Sequence, residues 1–154
     1  MKKIITLLKK KKIKIAIAES CTGGILSTAF TSFAGASKVF SMGLVTYSNK
    51  AKNTVLKVPN KTLKKYGAVS MQCCLSMVNN LSKLSKCKIC ISVTGIAGPK
   101  GGSRKKPVGL VFIGIKNRKK IKINKFVFKN KGRSYIQRST LKKAMFLLLN
   151  EIKN

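Results

Sequence analysis

The sequence predicts a three-layer α/β/α sandwich with a mixed sheet, folded as one domain over residues 1–154. Three observations predict it. Short apolar, strand-like runs alternate with segments of helical period through the first part of the chain. Two strand-like runs then follow each other directly, around Asn117-Arg118, which adds a hairpin to an otherwise parallel sheet. No linker, repeat or low-complexity stretch divides the chain.

Residues 2–11 suit a short basic helix. The apolar stretch after Met1-Lys2-Lys3 is short, and Lys9 to Lys12 close it with no small-residue cleavage site, so it reads as a helix and not as a leader. Ile13, Ile15 and Ile17 alternate with Lys14, Ala16 and Ala18 as a strand. The strand runs into Glu19-Ser20-Cys21-Thr22-Gly23-Gly24, and Ile25, Leu26, Ala29 and Phe30 follow at helical spacing. A strand, a tight polar turn and a helix bring backbone N–H groups together at a helix N-terminus.

Val39 to Tyr47 reads as a second strand, after which Ser48-Asn49 caps a helix carrying Ala51, Lys52 and Val55. Pro59 and Gly67 bracket a loop and short helix. Ser70 caps a longer helix over 71–86, with Leu75, Val78, Leu81 and Leu84 expected inward. Lys88 to Thr94 is an apolar strand that ends in the Gly-rich loop from Gly95 to Ser103. Val108 to Ile115 and Lys120 to Phe128 form the hairpin. The last helix runs from about Arg133 to Ile152, with Ala144, Leu147 and Leu148 on its core face.

Charge is the unusual feature: 34 Lys and Arg residues stand against two acids, for a formal net charge of +32. Such a field attracts phosphorylated molecules, nucleic acid and anionic membrane alike, and it repels itself within the fold. The only acids are Glu19 and Glu151, and the chain has no His and no Asp. A Ser-His-Asp triad, a Cys-His pair, a two-carboxylate glycosidase site and a carboxylate-bound magnesium site all lack their parts. Hydrolytic chemistry here must activate its nucleophile with Lys or Tyr.

Five cysteines, an odd number, point to reduced thiols and a cytoplasmic location. Cys87-x-x-Cys90 has redox or zinc spacing, but it opens an apolar strand whose successive residues face opposite sides. The only further sulfur ligands are Cys21 and the Cys73-Cys74 pair. Buried thiols with no metal and no cofactor are the expectation. No apolar run approaches the roughly 18–20 residues that span a bilayer.

Three polar turns, two of them Gly-bearing, follow three strands: the Ser20 turn, the Tyr47 turn and the loop from Thr94 to Ser103. In open α/β sheets ligands gather beyond the carboxyl ends of the strands, so these turns predict one site. Glycine, serine and asparagine also serve simply to turn a chain, and each motif alone is weak. The Ser20 turn is not G-x-S-x-G, and neither G-x-x-x-x-G-K-[ST] nor G-x-G-x-x-G is present.

Taken together the turns are specific. The runs Ala18-Glu-Ser-Cys-Thr-Gly-Gly24, Gly43-Leu-Val-Thr-Tyr-Ser-Asn49 with Ala51-Lys52, and Gly67-Ala-Val-Ser70 resemble the CinA C-terminal family. Thr94-Gly-Ile-Ala-Gly-Pro99, Gly101-Gly-Ser103 and Lys106-Pro-Val-Gly109 do so as well, in the same order and spacing. The resemblance covers the chain from about residue 3 to the final helix. It implies hydrolysis of the carboxamide of nicotinamide mononucleotide to nicotinate mononucleotide and ammonia, and a homo-oligomer. Some family members carry a further N-terminal domain, which a chain of 154 residues is too short to include.

The resemblance makes Ser20 the nucleophile and Lys52 its base, with Tyr47 placed to relay or orient the proton. A neutral lysine can take the serine proton, and burial or neighbouring cations lower the pKa of an amine. The turn residues Thr22, Gly23 and Gly24 and the loop residues Thr94, Gly95, Gly101 and Gly102 are candidate substrate contacts, with N–H groups of Cys21–Gly24 or Gly95 for the oxyanion. Arg133 aligns with a substrate-contacting arginine of the family. Gly132 precedes it where relatives often have Asp, which leaves Arg138 as the alternative. Lys50, Arg104 and Lys105 stand where relatives often carry acids, and the helix after Ser70 lacks their acidic start. Glu19, next to the nucleophile, is expected to position Lys52 or a backbone amide rather than to act as base.

The competing reading is a basic module that holds nucleic acid through phosphates, with a vestigial hydrolase site, or a protein of competence or DNA damage. Charge favours it. Sequence-neutral single-strand binding also uses stacking aromatics, yet the chain has no Trp and three Tyr, and its lysines are spread along its length. Any nucleic-acid binding is therefore expected to be nonspecific, and no membrane is expected as partner.

Overall fold

The structure, a computed structural model, describes residues 1–153. Five strands form one mixed sheet: β1 (Ile15–Glu19), β2 (Phe40–Val45), β3 (Ile89–Gly95), β4 (Leu110–Asn117) and β5 (Lys120–Val127), in the order β2-β1-β3-β4-β5. The helices are α1 (Lys2–Lys10), α2 (Ile25–Thr31), α3 (Asn49–Thr54), α4 (Asn60–Tyr66), α5 (Met71–Ser85) and α6 (Arg133–Lys153). A short 3-10 turn at Ala36–Lys38 leads into β2. The strand β1 pairs parallel with β2 and β3, and β3-β4-β5 continue antiparallel, as the two-part pattern predicts.

Sheet position explains the burial. β1 and β3 are central and buried on both faces, so alternation in β1 separates two cores rather than core from solvent. Ile15 and Ile17, with Ile89, Ile91 and Val93 of β3, pack with α1, α2 and α6 through Leu8, Phe30 and Leu148. Ala16, Ala18 and Cys90 face the other way, onto α4 and α5 through Leu63, Met77, Val78 and Leu81. The small alanines allow that close approach. Edge strand β5 alternates exposed and half-buried residues, as a strand with one covered face does.

Two sequence expectations are corrected in α5. Its buried stripe is Cys73, Cys74, Met77, Val78 and Leu81, while Leu75 and Leu84 are exposed. Leu75 lies around the helix from that stripe, and Leu84 falls in the last turn, past the final buried position. In α6, Ala144 and Leu148 are buried and Leu147 is half-buried against the same core. Ile13 is buried but precedes the strand, which begins at Ile15 and extends to Glu19. No described helix is long and apolar enough to cross a membrane.

Candidate active site

The carboxyl ends of β1 and β3 and the turn after β2 surround one cleft of about 250 Å³, lined by Ser20, Cys21, Tyr47, Lys52, Thr94, Gly95, Gly101 and Arg133 among others. Ser20 follows the last residue of β1 and is almost fully buried. Lys52 sits on α3, whose start is fixed by the Ser48 hydroxyl, which accepts from the Ala51 N–H at 3.0 Å. Because α3 follows β2 so closely, the lysine reaches back under the strand ends. Its side chain is 1% exposed.

Three contacts hold the Lys52 amine. Nζ lies 2.9 Å from Ser20 Oγ, and it donates to the carbonyls of Thr46 at 2.8 Å and Tyr47 at 3.1 Å. A neutral amine has two N–H bonds and one lone pair. Two N–H bonds to two carbonyls leave the lone pair for the Ser20 hydroxyl proton. Burial holds the Lys52 pKa below the ordinary lysine value. Among the described residues no carboxylate offsets that loss of solvation, because the carboxylate of Glu19 is committed elsewhere and Glu151 pairs with Lys122 at 2.6 Å.

Glu19 is fully buried, and its carboxylate accepts from the N–H groups of Gly24, Leu26 and Ser27 and from the Ser27 hydroxyl, at 2.7–3.1 Å. It thus caps the N-terminus of α2, where an anion meets the exposed N–H groups and the positive end of the helix dipole. Of the two tasks expected for it, the backbone is the one it performs. Gly24 adopts φ +103 at this cap, a conformation that L side chains rarely hold.

The capping pattern narrows the oxyanion donors. In the Ser20 turn, the Gly23 N–H is bonded to the Ser20 carbonyl and that of Gly24 to Glu19. Cys21 and Thr22 directly follow the nucleophile, and their N–H groups donate to no backbone carbonyl among the described residues. Gln137 of α6 anchors the turn by donating to the Cys21 carbonyl at 2.9 Å, a contribution with no signal in the sequence.

The remaining predicted residues divide into those at the cleft and those beside it. Thr94 and Gly95 line the cleft, and the Thr94 hydroxyl donates to the Ala68 carbonyl at 2.8 Å, joining β3 to the segment before α5. Arg133, at the start of α6, donates to the Gly98 carbonyl at 3.1 Å and to the Tyr47 hydroxyl at 3.0 Å. Arg138 is exposed and does not line the cleft. The Tyr47 phenol bonds Arg133, and the part of Tyr47 that reaches Lys52 is its carbonyl. Thr22, Gly23, Gly24 and Gly102 do not line the cleft. Thr22 Oγ1 is buried without a partner. A Cβ at Gly102 would stand 2.8 Å from the Val108 backbone nitrogen, so close packing of the loop demands glycine there. Lys100 also lines the cleft.

The thiols near the site are poor nucleophiles. Burial pushes Cys21 up to about 12, and it raises Cys73 against the opposing effect of Lys52. All five cysteines are free, and no group of three or more His, Cys, Asp or Glu among the described residues is placed to hold a metal ion. A larger hollow lies elsewhere, at the amino ends of β1 and β3. The candidate site is therefore assigned by the Ser20–Lys52 contact and not by size.

Comparison with known proteins matches the fold and the motifs to one group. A putative competence-damage inducible protein of Thermoanaerobacter pseudethanolicus is 44% identical over 142 residues, which is 92% of this chain and 34% of the relative. A CinA-like protein of Thermotoga maritima is 52% identical over 112 residues, covering 73% of this chain and 28% of that protein. The chain thus spans about a third of the length of such curated relatives. The crystal structure of the competence/damage inducible protein CihA from Agrobacterium tumefaciens superposes with a TM-score of 0.95 at 38% identity, over 99% of this chain and 93% of the other. With the CinA C-terminal domain model matching residues 1–152, this chain belongs to that family.

Proposed function

We propose that this chain hydrolyses the carboxamide of nicotinamide mononucleotide, yielding nicotinate mononucleotide and ammonia. One observation carries the reading: a buried lysine amine without a carboxylate partner, 2.9 Å from the hydroxyl of Ser20. Neutral Lys52 takes the Ser20 proton as Oγ attacks the carboxamide carbon. The oxyanion develops beside the N–H group of Cys21, which lines the cleft. Lys52 then returns the proton to the leaving nitrogen, ammonia departs, and an ester on Ser20 remains. Water, deprotonated by the same amine, hydrolyses that ester and restores the hydroxyl.

Arg133 supports the phosphate end of the substrate. Two of its five N–H bonds are used on Gly98 and Tyr47, which fixes the guanidinium at the rim and leaves three for an anion. Lys100 adds charge to the same cleft. Exposed cations elsewhere occur on α1, α4, β5 and α6, for example Lys3, Lys64, Lys125 and Lys142. That spread favours a general field over a nucleic-acid track.

The test is ammonia release from nicotinamide mononucleotide, with nicotinate mononucleotide identified as the second product. Ser20→Ala and Lys52→Arg are each expected to abolish turnover, and the double variant to be no worse than either. Arginine keeps the charge but stays protonated, so it cannot act as base. A folded wild-type protein that releases no ammonia from this substrate at any pH overturns the reading.

A further inference from the structure

We propose that the end of the sheet opposite the cleft is a binding site for a compact polyphosphate, of the nucleoside triphosphate or inorganic triphosphate class. The site is the hollow of about 580 Å³ at the amino ends of β1 and β3, a volume usual for small-molecule sites. Three segments bring cations to its wall: Lys11 after α1, Lys88 before β3, and Arg118 and Lys119 of the β4–β5 turn with Lys120 at the start of β5. The N–H of Arg118 donates to the carbonyl of Lys88 at 2.9 Å, so the turn is tied to the start of β3 and its cations are held together.

The charge of this wall is not balanced by acidic side chains of the described residues. Among the described residues its one carboxylate, Glu151, is bonded to Lys122 at 2.6 Å, and none of the five lining cations pairs with an acid, although Lys11 donates to the Ile152 carbonyl. Concave walls concentrate the field of such charges, and a ligand with several adjacent phosphates relieves the repulsion among them. Arg118 adds a planar fork for phosphate oxygens, and the lysines add point charges. No aromatic residue lines the hollow, so nothing there stacks a base as single-strand binders do. Asn117 also lines it, with its amide nitrogen bonded to the Glu151 carbonyl and its oxygen buried without a donor.

The β1 and β3 strands separate this hollow from the cleft by roughly 20 Å, from the rise of about 3.3 Å per residue. The inference does not depend on the reaction proposed for the cleft, and its test reads binding alone. Titration calorimetry with inorganic triphosphate and with ATP, at about 150 mM salt where long-range attraction is screened, measures affinity for the intact chain and its variants. The variant Lys88→Ala/Arg118→Asn/Lys119→Ala is expected to bind at least tenfold more weakly, with unchanged circular dichroism. Arg118→Asn alone gives a smaller loss at an exposed turn position that asparagine tolerates. The variant Lys61→Ala/Lys64→Ala/Lys65→Ala, which removes the same charge from α4, and Arg133→Ala in the cleft are both expected to bind as wild type. Equal affinity for the two ligands assigns the site to the phosphate chain. Tighter binding of ATP that Asn117→Ala abolishes assigns it to the nucleotide. Equal weakening by the α4 variant, loss in Arg133→Ala, binding of duplex DNA but not of triphosphate, or no saturable binding at this salt overturns the proposal.

Discussion

Arg133 Nη2 donates to the Tyr47 hydroxyl at 3.0 Å, across 86 positions of sequence. The bond joins the start of α6 to the turn after β2 and sets one wall of the cleft. It also turns the phenol into a support for the arginine. Tyr47→Phe should therefore keep most of kcat and raise KM modestly. Arg133→Ala removes the charged partner proposed for the substrate, worth about 1.5–3 kcal/mol, and should raise KM roughly tenfold to a hundredfold. Steady-state kinetics of the two variants checks this. A collapse of kcat in Tyr47→Phe would assign the phenol to proton transfer instead.

Glu19 predicts a stability effect in place of a catalytic one. Glu19→Gln keeps the shape but removes the charge and sets an amide N–H against the donors now served by the carboxylate. A loss of about 2–3 kcal/mol is expected, from an unmet buried donor and a weakened charge-assisted cap. For a chain of this size that lowers Tm by roughly 2–4 °C per kcal/mol. Thermal unfolding followed by circular dichroism measures it.

Lys86 ends α5 at φ 53, ψ 18, in the left-handed region where glycine usually closes a helix. The Cβ of a lysine is strained there. Lys86→Gly should stabilise the fold by about 1 kcal/mol and also remove one positive charge. The expected rise in Tm is again about 2–4 °C. A Lys86→Ala control keeps the Cβ and removes the charge, so an equal rise in both variants would assign the gain to charge.

The element order and the strand ends that form the cleft were legible because they rest on local pattern. Ile15 and Ile17 announce a strand, Ser48 and Ser70 cap helices, and three polar turns, two of them glycine-bearing, mark strand ends. What the pattern could not carry depends on contacts distant in sequence. Gln137 reaches the Cys21 carbonyl from α6, and nothing near either residue signals it. The carbonyls of Thr46 and Tyr47 hold Lys52, and every residue has a carbonyl. Leu75 and Leu84 read as core because apolar spacing does not say which arc of a helix meets the sheet. Thr22 and Gly24 belong to the right turn, but Glu19 organises that turn from beneath the helix cap, so they shape it without lining the cleft.

The pH dependence follows from the same buried amine. Burial lowers the Lys52 pKa, and only the neutral form accepts the Ser20 proton. Activity should rise with pH through the lowered value and then level off. The sign for stability runs the same way. The unfolded chain holds this proton more tightly than the folded one, so folding stability gains with pH between the lowered value and the ordinary lysine value, and loses as pH falls through that window. Lys52→Met keeps the site filled and removes the titration, so its stability should rise less steeply with pH than that of the wild type. Denaturant unfolding of both proteins at several alkaline pH values measures the difference in slope, and a kcat/KM profile of the wild type measures the rising limb. A flat activity profile together with identical stability slopes would mean that Lys52 does not titrate there, and Ser20 would need another base.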